Sequence, residues 1–358
     1  MIDAIELGLD TFGDVTADAG GRPLPHAQVL RDVVEQAVLA DQVGLAFIGL
    51  GEHHRKDFSI SAPDVLGGAI AGRTSRIHIG SSVTVLSSDD PVRVYERFST
   101  LNAVSNGRAE IIVGRGSFTE SFPLFGFDLG QYELLFEERL DLLAALLEEK
   151  PVTWSGRTRS ALEDQTVYPP IDPGKRLRVW VGVGGTPKSV ARAAHYRLPL
   201  MLAIIGGSSR RFAPYVDLFY RALSEFGKAR LPVGVHSPGH VAATDEQARE
   251  ELWPNYQVLM SRIGAERGWP PVTRAQFDRE ASPDGALYVG SPETVAQKIA
   301  ITIQALGLTR FDMKYANGPT PHKALMTSIE LYGTKVAPRV RQLLDEAGYR
   351  VGELASTS

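Results

Sequence analysis

The chain has 358 residues, 43% of them hydrophobic and 22% charged, with a formal net charge of −4 and no cysteine. That composition sustains a sizeable core and argues against disorder, and the acidic balance argues against a general nucleic-acid binder. The lack of cysteine excludes disulfides, thiolate nucleophiles and Cys-based metal or iron–sulfur sites within this sequence.

In chain order, Met1–Glu6 lacks the basic start and apolar stretch of a secretion signal. No run of about 18 apolar residues follows anywhere, so no membrane span is expected. A cytoplasmic protein is the resulting expectation. Glu6–Leu9 reads as a first strand, and Ala27–Val43 as a helix whose apolar spacing Gly44 ends. Phe47–Leu50 is the second strand and Ala62–Ala71 the second helix; Ile77–Leu86 and Val92–Val104 form the third pair. Asp90-Pro91 opens that third helix with an acidic cap and a proline at the first helical position. Ala109–Val113 is the fourth strand and Tyr132–Glu149 the fourth helix.

Residues 151–177 break this rhythm, with Val152–Trp154 and Gln165–Tyr168 reading as a short hairpin. Strand–helix alternation then resumes with Arg178–Val181, Pro187–Tyr196, Leu200–Ile204, Arg211–Phe226 and a strand within Leu231–Ala243. Thr244–Glu280 is mostly helical, Val295–Leu306 is a helix opened by Ser291-Pro292-Glu293, and Arg310–Tyr315 is the eighth strand. Ala324–Val340 supplies the last helix. Eight strand–helix units without a mid-chain linker fit an α/β fold of the (β/α)8 barrel type, over 1–345, with insertions at 151–177 and 244–286 and a frayed tail at 346–358. A doubly wound open sheet is the alternative.

In a barrel the chemistry belongs at the C-terminal ends of the strands. There the fourth strand stops on Gly114-Arg115-Gly116-Ser117, a guanidinium between two glycines. Arginine presents a planar fork of donors suited to phosphate oxygens, and the glycines allow close backbone approach to a ligand. Gly182-Val183-Gly184-Gly185-Thr186-Pro187 joins a strand to a helix. It is either an ordinary tight turn or an anion site, with the backbone N–H groups of Gly184 and Gly185 at a helix start and the hydroxyls of Thr186 and Ser189 nearby. Neither a G-x-G-x-x-G fingerprint nor a P-loop occurs.

Glu52-His53-His54 sits at another strand end. Neighbours on a strand face opposite ways, so at most one of the two histidines points into the barrel mouth. The pair lacks metal-ligand spacing, and no metal site is expected. A histidine there suits proton transfer or hydrogen bonding, or else a structural role. The hydroxyls of Gly80–Leu86 either bond back to neighbouring strands or line a ligand. Phe118, Phe122, Phe125 and Phe127 form an aromatic cluster, as core, interface or pocket. No G-x-S-x-G elbow or paired catalytic carboxylate supports a hydrolase.

Together these pieces resemble the bacterial-luciferase-like, flavin-dependent monooxygenase family. The resemblance is carried by Gly51-Glu52-His53-His54, Arg73–Ile77, Gly80 through Pro91-Val92-Arg93, Leu101 through Gly107-Arg108, Gly114-Arg115-Gly116, Phe125-Gly126 and Val179–Pro187, in order over about 330 residues. It implies a TIM-barrel variant, often a homodimer, that binds FMN and receives it reduced from a separate flavin reductase. By the same resemblance Arg115 and Ser117, with Gly184, Gly185 and Thr186, are phosphate contacts, and Ile204 and Ile205 flank the flavin ring. Ser82-Val83 falls beneath the ring, where the family often has a non-proline cis peptide, and His53 matches the active-site histidine. Ser87 departs from a proline usual in luciferases, and Gly184-Gly185 replace a more polar pair, so light emission is not implied.

The expected activity is that of a two-component monooxygenase using reduced FMN and O2 on a small organic substrate, with the 244–286 insertion helping to exclude water. A deazaflavin-dependent reductase or dehydrogenase, and a non-catalytic flavin-binding protein, are the alternatives.

Overall fold

A computed structural model describes residues 5–18 and 20–351. The expectations for Met1–Ala4 and for the tail from Gly352 onward lie outside the described residues. Tyr349, just before that point, donates its hydroxyl to the Leu308 carbonyl at 2.7 Å.

Short apolar runs become strands and amphipathic runs become helices, in this order: β1 Glu6–Thr11, α1 His26–Gln42, β2 Phe47–Leu50, α2 Pro63–Ala71, β3 His78–Val85, α3 Pro91–Val104, β4 Ala109–Gly114, α4 Ser121–Phe125 and α5 Tyr132–Leu146. A small hairpin follows, β5 Val152–Trp154 and β6 Leu162–Gln165, then β7 Arg178–Val183, α6 Pro187–His195, β8 Leu200–Ala203, α7 Ala213–Glu225 and β9 Val233–Val241. The last third holds α8 Asp245–Arg267, α9 Arg274–Glu280, β10 Tyr288–Gly290, α10 Pro292–Leu306, β11 Arg310–Lys314, α11 His322–Leu331 and α12 Ala337–Glu346.

All neighbours around the ring β1-β2-β3-β4-β7-β8-β9-β11 pair in parallel, and β11 returns to β1, which closes an eight-stranded barrel. The open-sheet alternative is therefore excluded. β9 forks: Gly234–Pro238 pair with β11, while Gly239–Val241 pair with the outlying β10. No helix among the described residues is long and apolar enough to cross a membrane.

Local chemistry sets the helix starts. Asp90 accepts from the backbone N–H groups of Val92 and Arg93, with Pro91 in the first turn where no N–H is needed. Thr273 and Gln276 form a reciprocal capping box on α9. Three expectations shift. The second strand of the hairpin is Leu162–Gln165 rather than Gln165–Tyr168, because Pro169 and Pro170, which have no N–H, follow directly. The last helix is two, joined by a π turn at Tyr332–Val336, because Pro338 cannot continue the ordinary hydrogen-bond ladder. Neither α4 nor β10 was expected; each is five residues or fewer, too short for periodicity to show.

The core lies between barrel and helices, with a second apolar layer inside the barrel made by Phe47, Ile112, Trp180 and Met201. Below that layer, at the strand N-termini, charges fill the barrel. Arg310 donates to Glu110 at 2.6 Å and to Asp312 at 2.8 Å, and its guanidinium lies 3.6 Å from the Phe47 ring centre. Arg178 bridges Glu110 and Glu6. The Arg310 and Arg178 charges hold the Glu110 carboxyl well below the ordinary range despite complete burial, whereas burial outweighs Arg310 at Asp312 and lifts it to about 7. This plug shuts the lower end, so access to the barrel is from above.

Candidate active site

At the C-terminal ends of the strands lies a cavity of about 420 Å³. His53, Ser82, Val83, Arg115, Ser117, Gly184, Ser189 and Ile205 all line it. These residues come from loops after β2, β4, β7 and β8 and from β3 and α6, so the fold gathers what the sequence scatters. Gly185 and Thr186 follow Gly184 at the head of α6 and are not on the cavity wall. Ile204 is fully buried, and its carbonyl accepts from Ser237. Its neighbour Ile205 is 62% exposed at the mouth.

One end of the cavity is suited to an anion. Arg115 pairs with Glu133, its guanidinium 5.4 Å from the Tyr132 ring, and Glu133 in turn meets Arg192 at 3.2 Å and Lys188 at 3.7 Å. Three cations thus converge on one half-exposed carboxylate. Across from Arg115, α6 begins at Thr186 with no side-chain cap on its first-turn N–H groups, and the Thr186 hydroxyl turns instead to Ser189 at 2.7 Å. Such a helix start favours negative charge. A Cβ on Gly184 would meet nothing within 4 Å, so backbone borders open space there. Ser121 Oγ, on the same cavity wall, is buried without a partner. A phosphate monoester fits this set of donors. Both glycines beside Arg115 border the cavity and also pack tightly: a Cβ on Gly114 would strike Val83 at 2.8 Å, and one on Gly116, at φ +76°, would strike Val85 at 2.9 Å.

The middle of the cavity is a wall made by β3. The Ser82–Val83 peptide is cis, and the ladder to β4 shifts register there. The hydroxyls of this strand divide between the two roles open to them. Ser81 donates to the Ile112 carbonyl at 3.3 Å, while Ser82 faces the cavity and Thr84 Oγ1 is buried without a partner.

At the other end His53 is caged by aromatic rings, with centroids at 4.4 Å (Phe12), 4.7 Å (Phe58) and 5.2 Å (Phe118). Burial, helped by the Lys314 and Arg55 charges, pushes its pKa down to about 3. The ring is therefore neutral at ordinary pH, which suits hydrogen bonding and not standing positive charge. His54 also borders this cavity, where at most one of the two histidines was expected. Its Nε2 lies 2.9 Å from Glu52, whose second oxygen accepts from Val85 N at 2.9 Å. Of the four phenylalanines, Phe118 lines the cavity and Phe122 is core; Phe125 packs on His54 and Phe127 lies under Arg139.

The roof is the end of α8. Arg267 lines the cavity and donates to the Ser117 carbonyl at 3.2 Å, Glu266 pairs with Arg55 at 2.5 Å, and Arg262 meets Asp57 at 3.0 Å. Sequence reasoning did not pair His236, on the floor, with Asp10, a strand-end residue buried behind it. His236 lines the cavity, and its Nδ1 lies 2.5 Å from Asp10 Oδ2. They are 226 positions apart, and each reads alone as a polar residue inside an apolar strand, so no spacing signal links them. Outside the barrel, Asp32, Glu35 and His322 bring ligand atoms within 4.8 Å of one another, but Gln28 and Gln36 already bond to Asp32 and His322.

Residues 11–310 match the family model described as luciferase-like monooxygenase. The 4-hydroxyprotoasukamycin monooxygenase of Streptomyces nodosus subsp. asukaensis is 27% identical over 335 residues, 90% of this chain and 89% of that one. Among solved structures, the oxygenating constituent of 3,6-diketocamphane monooxygenase of Pseudomonas putida, a type II Baeyer–Villiger enzyme in complex with FMN, superposes with a TM-score of 0.76 at 18% identity, covering 94% of this chain and 99% of that one. An F420-dependent secondary alcohol dehydrogenase superposes with a TM-score of 0.72 at 18% identity and the same coverage. At that identity both establish the fold alone.

Proposed function

This chain belongs to the luciferase-like monooxygenase family, and from that premise we propose that it is the oxygenating component of a two-component, FMN-dependent monooxygenase acting on a small organic substrate. The observation that carries this reading is the polarity of the cavity: Arg115 and a helix start at one end, an aromatic cage around a neutral histidine at the other. A flavin mononucleotide has that same polarity, with a dianionic phosphate at one end and a flat, largely apolar ring at the other.

Reduced FMN, delivered by a separate reductase, would supply the electrons with which O2 is activated. The chain's own residues bind, orient and shield. Arg115 exchanges its Glu133 partner for phosphate oxygens, a charge-assisted pairing. The Gly184 backbone and the first turn of α6 would face the phosphate, with Ser117 and Ser189 as hydroxyl donors and Thr186, off the cavity wall, orienting Ser189. Ser82, Val83 and Ile205, which line the cavity, would hold the ring. His53, neutral in its aromatic cage, would offer a hydrogen bond there without carrying charge. Arg267 and the end of α8 keep water out.

A homodimer accompanies this reading. Val65 on α2 and Val104 on α3 are 71% and 67% exposed along one groove, and a second copy would cover them; light scattering at twice the monomer mass is the expected result. Hydride transfer with a deazaflavin is the second reading, favoured by the barrel shared with the F420-dependent dehydrogenase. Anaerobic titration with reduced FMN, followed by O2 admission and oxygen-uptake recording, tests the proposal. Binding of reduced FMN and O2 consumption support it. Failure to bind FMN in either redox state overturns it, and bleaching of a deazaflavin without oxygen uptake replaces it with the second reading.

A further inference from the structure

We propose that Asp10 and His236 form the acid–base pair of this cavity, arranged to take the proton of a weakly acidic hydroxyl, a phenol or enol, on an otherwise apolar substrate; this rests on reading the cavity as the reaction site.

Asp10, on β1, is completely buried, and Gly49 on the adjacent β2 leaves the space it occupies, since a Cβ there would come within 3.0 Å of the Asp10 Cβ. One Asp10 oxygen meets His236 Nδ1 at 2.5 Å; the other, Oδ1, has no partner. His236, on β9, is 8% exposed and presents its ring to the cavity. Its Nε2 has no hydrogen-bond partner among the described residues. A purely structural pair would be expected to use both ring nitrogens and both carboxylate oxygens, since buried polar groups are normally satisfied. Here the free side of the His236 ring borders the cavity, while Asp10 Oδ1 stays buried behind it without a partner.

A carboxylate only accepts, so the Nδ1 proton stays between His236 and Asp10 and the Nε2 lone pair faces the cavity. His53 has no such partner and sits among rings, so the two histidines divide the work: His53 stays neutral, and His236 is built to take up charge. The transfer balances simply. The substrate O–H bond breaks, the proton forms a bond with Nε2, and the electron pair stays on oxygen as phenolate or enolate. Asp10 offsets the imidazolium. Of the other charges near the pair, Lys314 is tied to Asp14 at 3.0 Å and lies 4.5 Å from the Phe12 ring, and Asp312 lies on the plug side bonded to Arg310.

The walls beside His236 select the substrate's body. Phe12 lies nearly parallel to its ring at 6.3 Å, and Met201 and Ala203 line the same floor. A flat apolar molecule with one hydroxyl matches that surface. An alkane or simple ketone has no proton for the pair to take.

The test uses p-nitrophenol, whose ionisation is visible in its absorbance, with wild type, Asp10→Asn and His236→Gln, each with and without FMN, at a pH below the probe's own pKa. The wild type is expected to bind it as the phenolate. In Asp10→Asn the amide donates to Nδ1 and moves the ring proton to Nε2, so the phenolate fraction falls at least about tenfold. His236→Gln falls equally, and circular dichroism confirms both folds. A probe that does not bind the wild type, or binds it as the neutral phenol, overturns the proposal even if FMN binds. Phenolate uptake lost in both variants, in a protein that does not bind FMN, supports the pair and removes the flavin reading.

Discussion

The two ends of the barrel bury charge in opposite ways. At the lower end Glu6, Glu110, Asp312, Arg178 and Arg310 face one another directly, and Arg310 stacks on Phe47 and points toward Trp180. At the upper end the charged and polar groups are held from behind and left open in front: Arg115 by one exchangeable carboxylate, His236 by Asp10, the α6 start by no side chain at all. Burial alone therefore does not mark a functional charge. What marks it is an unsatisfied direction aimed at space, which the lower cluster has no cavity to offer and the upper one does.

That contrast can be broken first at the plug. Arg310→Met strands Asp312 in the barrel, leaves Glu110 with Arg178 and His78, and is expected to cost about 3–5 kcal/mol, read as a lowered urea midpoint. A loss below about 1 kcal/mol would mean the plug is not holding those carboxylates. His53→Gln sharpens the upper half. A histidine whose folded pKa is depressed to about 3 stays neutral in the folded chain while the unfolded chain takes up a proton below about 6.5. Stability thus falls with pH across the window between those two values, and the glutamine variant escapes that part of the loss. The gain at pH 5 is at most about 2 kcal/mol, with none at pH 8; equal melting shifts at both would contradict the caged, neutral ring. Glu266→Gln is the smallest effect. Its bond to Arg55 is half exposed, so global stability changes by less than about 1 kcal/mol, while hydrogen exchange at the end of α8 quickens. Unchanged exchange there would remove the ion pair from the account of the roof.

The sequence carried the strands, most helices and the insertions because those depend on local pattern: short β-rich runs, Asp90-Pro91 and Ser291-Pro292 caps, and glycine stops. It also pointed to Arg115 and His53, which follow strand ends, and to Ser82, within β3, all of which line the cavity. It did not carry Asp10 with His236, or Arg310 with Glu110, because those pairs exist only once β1 lies near β9 and β11 near β4 across the closed barrel. Nor could it separate Ile204 from Ile205, whose opposite fates follow from one step along an extended backbone. The glycines around Arg115 were legible as close-packing sites; both border the cavity, and Val83 and Val85 are the side chains packed against them.

The central claim, that the cation cluster at Arg115 is a phosphate seat, is tested most directly by titrating wild type and Arg115→Ala with FMN and with riboflavin under the same conditions. Loss of a charge-assisted contact worth about 1.5–3 kcal/mol predicts that FMN binding weakens roughly 10- to 100-fold while riboflavin changes less than about twofold. Equal weakening of both flavins would contradict a phosphate role for Arg115.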